Sequence, residues 1–250
     1  MEGFDVPQLY DEIGVGYEIY RRPDARIAAA IMRALGDLAP VVNVGAGTGS
    51  YEPDDRPVVA VEPSLTMIRQ RRGQTAPVVR ASATNLPFGD GAFAAALAIL
   101  TMHHWPDRAR GLSELARVAR HRVVCLTCDP EMEGFWLVND YFPEMRELDR
   151  LHMPPLEEFR RAGWSVEVRP LPIPHDCSDG FLGAYWRRPS AYLDPGVRGA
   201  ISAFSKLSDV DAGLSRLRSD LADWTWERRH GHLLSQTALD LGYRLVIVDL

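Results

Sequence analysis

The sequence predicts an α/β fold built on a doubly wound, mostly parallel sheet, and two observations carry this prediction. Short β-branched apolar runs, such as residues 41–44 and 58–61, are typical of strands that are covered on both faces. Segments of helical periodicity separate these runs. Alternating strands and helices require parallel pairing through right-handed crossovers, so we expect one doubly wound domain.

Hydrophobic periodicity and turn residues place the elements in chain order. The predicted strands are 41–44, 58–61, 78–79, 93–100, 122–127, 165–173 and 244–248. The predicted helices are 6–20, 25–38, 65–72, 108–119 and 157–162, with an irregular stretch over 129–151. We divide the chain into a lid helix (1–24), a core (25–175), a mostly helical insertion or cap (176–242) and a final core strand (243–250).

Length and composition set limits on the function. A chain of 250 residues with 46% hydrophobic and 25% charged residues is typical of one globular domain with an elaboration. The formal net charge of −6 argues against a nucleic-acid partner. The sequence contains no apolar stretch of membrane-spanning length and no leader, so we expect a cytoplasmic protein without a membrane partner. A monomer and a homodimer both remain open.

The three cysteines predict neither a disulfide framework nor a metal site. Cys125 and Cys128 have redox or zinc spacing, but they continue an apolar strand, where residues three apart point to opposite faces. We therefore expect them to pack in the core, and we expect no metal.

The run from Val41 to Gly49 is the most informative part of the sequence. Three glycines at alternate positions follow a buried strand, so bare backbone amides can approach a ligand closely. Glu62 ends the next strand, where a carboxylate can accept hydrogen bonds from both hydroxyls of a ribose. Together these features predict an adenosine-containing ligand.

The glycine spacing narrows the choice of ligand. The dinucleotide fingerprint G-x-G-x-x-G requires glycine where this chain has Ser50, which disfavours NAD and FAD. A P-loop is excluded because no G-x-x-x-x-G-K-[ST] stretch occurs, and Lys206 is the only lysine.

The sequence resembles the class I S-adenosylmethionine (SAM) dependent methyltransferases, in particular the small-molecule branch that includes the ubiquinone/menaquinone and trans-aconitate methyltransferases. Four blocks, within roughly the first half of the chain, carry the resemblance: 43–49, 61–64, 83–93 and 97–118. The resemblance implies a seven-stranded Rossmann-like sheet whose last strand is antiparallel. It also implies SAM as cofactor and S-adenosylhomocysteine (SAH) as product.

The resemblance places a set of residues around SAM. The glycine loop would contact the cofactor, Pro63 would flank the adenine, and the backbone at Leu100 and Thr101 would face the methionine portion. An N-terminal helix would fold over the cofactor and lend it an aromatic ring and an arginine. The resulting cofactor set is Tyr17, Arg22, Asn43, Gly45, Ala46, Gly47, Gly49, Glu62, Pro63, Ser82, Ala83, Leu100 and Thr101.

Three features depart from the family pattern. Asn43 stands where an acidic residue usually helps to hold the methionine amino group, and Ser82 replaces the usual acidic partner of adenine. Residues 50–57 leave too little room for the customary helix between the first two strands, and Pro53 and Pro57 oppose one. Tyr10 and Tyr17, seven apart and on one helical face, could compensate for the lost helix or simply pack the helix on the domain.

The catalytic assignment stays open at the level of the sequence. A base is needed only if the acceptor must lose a proton. The candidates are His103 and His104, titratable near neutral pH, and His175 beside Asp176. Pocket shaping is the commoner explanation for the first two, and local side-chain bonding of the loop is favoured for His175. The candidate acceptor pocket consists of Trp105, Asp129, Trp136, Tyr141 and Tyr185, which would suit an aromatic or partly apolar small molecule.

The sequence thus predicts a SAM-dependent methyltransferase that acts on a small metabolite, an enzyme of the EC 2.1.1 class. One alternative is a SAM-binding enzyme of non-methyl-transfer chemistry, such as a cyclase or decarboxylase. The other is a non-catalytic SAM-binding module. The acceptor atom, whether oxygen, nitrogen or carbon, is not readable from the sequence.

Overall fold

The computed structural model describes residues 17–71, 73, 76–161 and 164–250. The strands of its main sheet are β1 Val41–Val44, β2 Val58–Val61, β3 Val78–Val79, β4 Phe93–Ile99, β5 Ala119–Cys128, β6 Ser165–Pro170 and β9 Tyr243–Asp249. They form a 7-stranded sheet in the order β3-β2-β1-β4-β5-β9-β6. Strands β1 to β5 pair in parallel, and β9 runs antiparallel to both β5 and β6. This confirms the predicted mostly parallel sheet with an antiparallel last strand.

The sheet has a hydrophobic core on each face, as its apolar strands predict. On one face the helix Ala25–Leu35 packs Ile27 and Ile31 against Val41 of β1 and Leu97 of β4. On the other face the helix Arg108–Val118 packs its buried leucines against the opposite side of the same strands. Alternate residues of β1 and β4 therefore serve different cores, and the end of the sheet after β1 and β4 stays open for a site.

The helical elements differ in part from those predicted. The α-helices are Tyr17–Tyr20, Ala25–Leu35, Leu65–Arg69, Arg108–Val118, Glu144–His152, Pro195–Gly199, Ser202–Ser205, Asp211–Ala222 and Thr225–His230. The 3₁₀ turns are Met102–His104, Leu156–Phe159, Leu182–Tyr185, Pro189–Leu193 and Gly231–Ser235, and Leu137–Tyr141 is a π turn. The prediction of an irregular segment over 129–151 is wrong, because it contains a helix whose apolar Met145 is fully buried. The helix predicted at 157–162 is a short 3₁₀ turn.

The predicted strand 165–173 divides into two elements. Strand β6 ends at Pro170, and Ile173–Pro174 (β7) pairs instead with Ala238–Leu239 (β8) in a separate two-stranded sheet. The prolines explain the break, because a proline has no amide hydrogen to donate to a continuous ladder. The small sheet joins the start and the end of the helical insertion.

The helical insertion packs with residues 135–152 around one aromatic core, and we call residues 135–152 and 181–235 the helical cap. Trp136 lies at its centre, 5.3 Å from Trp226 and 5.7 Å from Tyr192 between ring centroids, in edge-to-face geometry. The Trp136 indole also donates a 2.8 Å hydrogen bond to the carbonyl of Trp186. The cap is thus one packed layer made from two separate segments of the chain. Within the described ranges, no helix is both long and apolar enough to span a membrane.

Candidate functional site

The glycine turn after β1 crosses over the end of β2. Gly45 and Ala46 donate amide hydrogen bonds of 2.9 and 3.0 Å to the carbonyl of Val61, which anchors the turn to the neighbouring strand. Gly45 has φ +71°, and a Cβ at this position would overlap the side chain of Thr101 at the end of β4. Only glycine therefore allows the turn and the end of β4 to approach this closely.

The carboxylate of Glu62 is held in place by two backbone amides. One oxygen accepts a 2.8 Å hydrogen bond from Gly47 and the other a 2.9 Å bond from Ser64, and the residue is 5% exposed. Burial raises the pKa of this carboxyl, while both amides act in the opposite direction. Each oxygen can still accept one further hydrogen bond, so the group can bind a vicinal diol.

An ion pair takes the place of the customary helix between β1 and β2. Residues 45–57 form turns, and Arg71 contacts both oxygens of Glu52 with side chains that are 4% and 6% exposed. Arg71 also donates to the Gly47 carbonyl at 3.2 Å, which braces the glycine turn from below. The sequence did not reveal this support of the glycine turn by Glu52 and Arg71, because the two residues are 19 positions apart and match no motif.

Asn43 contacts the same ion pair. Its amide nitrogen donates to Glu52 at 3.3 Å, and its amide oxygen is buried without a hydrogen-bond partner among the described residues. The side chain lines the cleft above the glycine turn. A buried acceptor without a partner is costly, so this oxygen is suited to a donor group on a ligand.

Asn43, Glu62 and the glycine turn line one cleft at the open end of the sheet, which has a volume of about 190 Å³. Of the residues proposed from the sequence, the cleft contains Tyr17, Asn43, Gly45, Ala46, Gly47, Glu62, Pro63, Ser82, Ala83, Leu100, Thr101, His104 and Trp105. A carboxylate for a diol, an acceptor for an ammonium group and a wall of bare amides are the groups that SAM requires. The residues of the cleft therefore fit this cofactor.

Two of the proposed cofactor residues lie away from the cleft. Gly49 closes the turn instead, with φ +99° and an amide hydrogen bond of 2.9 Å to the carbonyl of Ala46. Arg22 is exposed and points away, whereas Arg21 lines the cleft. The reason is an ion pair between Arg21 and Asp179, just before the second segment of the cap, which turns Arg21 inward. Tyr10 lies outside the described residues.

A second cavity adjoins the cleft on the side of the cap. Leu100 and Arg21 line both spaces, so the two lie side by side. Leu100 has φ +51°, a conformation that costs a non-glycine residue roughly 1–3 kcal/mol. The chain turns at this residue after β4, and Leu100 lies between the two spaces. Polar residues of this second cavity include His103, Asp149, His152 and Lys206.

The histidine pair is divided between the two spaces. His104 lines the cleft and His103 the second cavity, with ring centroids 3.8 Å apart. Burial lowers the pKa of His103 to about 3 and that of His104 well below its ordinary value. The expectation that they titrate near neutral pH is therefore wrong, because the buried imidazolium form is disfavoured.

Most of the residues proposed for the acceptor pocket serve the cap instead. Trp136 and Tyr141 are buried in its core, and the Tyr141 hydroxyl donates a 2.7 Å hydrogen bond to Asp220. The Arg188 guanidinium lies 4.7 Å from the ring of Tyr185. The following residues line neither the cleft nor the second cavity: Asp129, Trp136, Tyr141, His175 and Tyr185. Only Trp105 of the proposed pocket faces the cleft. The sequence missed Asp149 and His152 because their helix was not predicted.

Comparison with known proteins agrees with this geometry. A family model described as a methyltransferase domain matches residues 42–127. A demethylmenaquinone methyltransferase of Corynebacterium kroppenstedtii is 36% identical over 128 residues, which cover 46% of this chain and 56% of that protein. The chain thus matches about half the length of this curated relative.

Solved structures extend the likeness to the whole chain. A crystal structure described as a methyltransferase from an antibiotic biosynthesis pathway of Anabaena variabilis is 33% identical, with a TM-score of 0.85 over 92% of this chain and 99% of that one. The plantazolicin methyltransferase in complex with SAH shares the fold at 9% identity, with a TM-score of 0.53 over 98% of this chain and 93% of that one. With its sheet, its cleft and these relatives taken together, the chain belongs to the class I SAM-dependent methyltransferases.

Proposed function

We propose that this methyltransferase transfers the methyl group of SAM to a small-molecule acceptor that is aromatic or partly apolar. The observation that carries the proposal is that two spaces lie side by side and share Leu100 as a wall residue: a cleft lined by cofactor-type groups, and a cavity lined largely by the helical cap. A space of this kind next to the cofactor cleft suits a small acceptor better than a macromolecule.

Within this proposal, each part of the cleft has a role. Glu62 accepts hydrogen bonds from the ribose hydroxyls, and Asn43 offers its free amide oxygen to the methionine ammonium group. Ser82 and Ala83 line the cleft beyond Pro63, where the adenine would lie. Tyr17 and Arg21 cover the cleft from the N-terminal side, and Arg21 takes the role that was predicted for Arg22. The proposal keeps the division of the chain into a lid helix (1–24), a core (25–175), an insertion or cap (176–242) and a final core strand (243–250).

SAM supplies a methyl group that its sulfonium already activates. The chain's own contribution is then to hold the acceptor in line with the bond that breaks and to exclude water. Leu100 separates the two spaces, and the buried His104 and Trp105 form the adjoining wall. Because both histidines are held neutral, they shape the pocket and accept hydrogen bonds, and they do not carry charge there.

Transfer of radiolabel from methyl-labelled SAM to a panel of small phenols, amines and carboxylic acids tests the proposal. Label in one acceptor class, with SAH formed in equal amount, supports methyl transfer. Conversion of an acceptor without label transfer would indicate the alternative non-methyl-transfer enzyme. Binding of SAM without any conversion across a broad panel would indicate a binding module.

A further inference from the structure

The second cavity contains a cluster of polar groups that the cofactor does not use. Asp149 and His152 lie on the helix Glu144–His152, and Lys206 follows the short helix Ser202–Ser205 of the cap. His103 faces them from the turn after β4. These four residues come from three separate segments, and they meet only around this cavity, which has a volume of about 90 Å³.

The charged groups of the cluster face the cavity without partners of their own. In the part of the chain that the structure describes, no hydrogen bond or ion pair engages the Asp149 carboxylate or the Lys206 ammonium group. Both residues are partly buried, and each influences the other through charge. Charges that are withdrawn from water are normally paired. Two such groups around one space therefore point to a ligand between them.

The rest of the cavity wall is apolar. Leu100, Phe181, Ile201 and Tyr243 contribute to it. One water molecule needs about 10–15 Å³ on this measure, so a cavity of about 90 Å³ holds several waters. That space accommodates a single substituted ring. The cavity thus has an apolar part and a charged part. An acceptor with an apolar ring and one ionisable polar group matches both.

We propose that the second cavity is the acceptor subsite, and that it takes a phenol-type acceptor whose ionised oxygen is bound by Lys206 and whose proton passes to Asp149. The inference rests on the proposed function and names its substrate class. A cationic amine would meet the Lys206 charge at the same place, whereas a phenolate is stabilised by it. The apolar wall receives the ring.

The transfer step balances as follows. The acceptor O–H proton moves to a carboxylate oxygen of Asp149, and the oxygen keeps the electron pair. That pair forms the new O–CH₃ bond while the CH₃–S bond breaks, and the electrons of the broken bond remain on sulfur. The phenolate and the sulfonium thus become a neutral ether and a neutral thioether, and Asp149 later releases its proton to solvent.

The position of Asp149 supports its role as proton acceptor. Burial raises the pKa of Asp149 to about 6, which suits a base at neutral pH better than an ordinary aspartate. The charge of Lys206 lowers the pKa of a bound phenol toward the same range. Besides Asp149 and Lys206, the titratable or charged groups around the cavity are Arg21, His103, Cys128, His152 and Tyr243.

Three matched probes test the subsite with the full chain in the presence of SAH. They are 4-nitrophenol, its methyl ether 4-nitroanisole, and the cationic 4-nitrobenzylamine. Calorimetry measures their affinities, and visible absorbance reports the phenolate fraction of bound 4-nitrophenol. We expect 4-nitrophenol to bind at least tenfold more tightly than the other two, with a phenolate fraction above that in free solution at the same pH.

Variants then assign the residues. Lys206→Met should lose at least tenfold in 4-nitrophenol affinity, and Lys206→Arg should keep it because the positive charge remains. Asp149→Asn should keep the binding of 4-nitrophenol. It should slow methyl transfer from SAM to 4-methylphenol, which stays protonated in solution at pH 7, at least tenfold, with recovery as rising pH ionises that phenol. Glu147→Gln, an exposed change on the same helix, should match the unsubstituted chain.

The outcomes separate this inference from the proposed function. SAH affinity, measured on every variant, reports the cofactor cleft and correct folding. Equal binding of the three probes, or an unchanged affinity in Lys206→Met, with SAH binding intact, would overturn the subsite while the methyltransferase function stands. A well-folded chain that binds neither SAM nor SAH would instead contradict the proposed function.

Discussion

The hydroxyl of Tyr51 donates a hydrogen bond of 2.9 Å to Asp179, which lies 128 positions further along the chain. Tyr51 belongs to the turns after β1 and has φ +62°. Asp179 is fully buried and lies just before the second segment of the cap. The same carboxylate pairs with Arg21, and the Tyr51 oxygen also accepts the amide of Asp24. Three separate segments around the cleft therefore meet at one carboxylate.

We predict that Tyr51→Phe lowers the free energy of unfolding by about 1–3 kcal/mol, because Asp179 loses a donor and the Asp24 amide loses its acceptor. Since Arg21 depends on the same carboxylate, SAM affinity should also fall, by about 1 kcal/mol. Urea denaturation and calorimetry measure the two effects. Tyr192→Phe is the matched control: it removes a buried hydroxyl bonded at 2.6 Å to the Leu182 carbonyl, so it should affect stability alone. Equal SAM affinity in both variants would argue against the link to the cleft.

The two glycines Gly45 and Gly73 separate backbone strain from steric contact. Both have a positive φ, +71° and +76°, but a Cβ on Gly73 would meet nothing within 4 Å. We expect Gly73→Ala to cost about 1–2 kcal/mol of stability and to leave SAM affinity unchanged. Gly45→Ala should cost more and should also weaken SAM binding, because Thr101 must move away from the turn. Thermal unfolding and calorimetry on both variants provide the comparison, and similar losses in the two would refute the close-approach argument.

Replacement of Glu62 by alanine should weaken SAM binding by roughly 1.5–3 kcal/mol, since two charge-assisted hydrogen bonds to the ribose disappear. Calorimetric titration with SAM and SAH measures the change. Glu114→Ala is a suitable control because Glu114 also accepts a backbone amide, that of Leu86 at 2.8 Å, but lies outside the cleft. Its variant should lose stability and keep cofactor affinity. Unchanged affinity in Glu62→Ala would remove the ribose role.

The sequence predicted well those parts of the molecule that local pattern determines. The apolar runs of β1 and β2 and the alternate glycines specify a buried strand and a tight turn, whatever the rest of the chain does. Glu62 follows β2 directly, so its place at the sheet edge follows from chain connectivity. The side of the cleft that the glycine turn and Glu62 form could therefore be predicted from residues 41–62.

The acceptor side could not be predicted in the same way. Trp136 and Tyr141 were expected in the pocket because aromatic residues suit ligands, but they equally suit a core, and the core of the cap takes them. Asp149 and Lys206 lie 57 positions apart in segments that give no motif, and they meet only through tertiary packing of the cap. Arg22 was predicted to contact the cofactor in place of its neighbour Arg21. The sequence does not show which arginine turns inward, because this depends on the ion pair with the distant Asp179.

The raised pKa of Asp149 makes stability depend on pH in a direction opposite to that of most carboxylates. Its folded-state value of about 6 exceeds the ordinary 3.8, so the folded state binds more protons between these values. Stability then falls as the pH rises from about 4 to about 6, because the ionised form is disfavoured by burial. At 1.36 kcal/mol per pKa unit, the effect amounts to at most about 3 kcal/mol.

Asp149→Asn should therefore stabilise the protein at pH 7 and have little effect at pH 3, where the unsubstituted carboxyl is already neutral in both states. Urea denaturation of both proteins across this range measures the difference, which should grow between pH 4 and pH 6 and then level off. Glu147→Gln, on the exposed side of the same helix, should produce no comparable gain because its carboxylate is not buried. Loss of stability in Asp149→Asn at pH 7 would mean that attraction to the Lys206 charge outweighs the cost of burying the carboxylate. Asp149 would then be a structural partner of Lys206 and not a base for an acceptor.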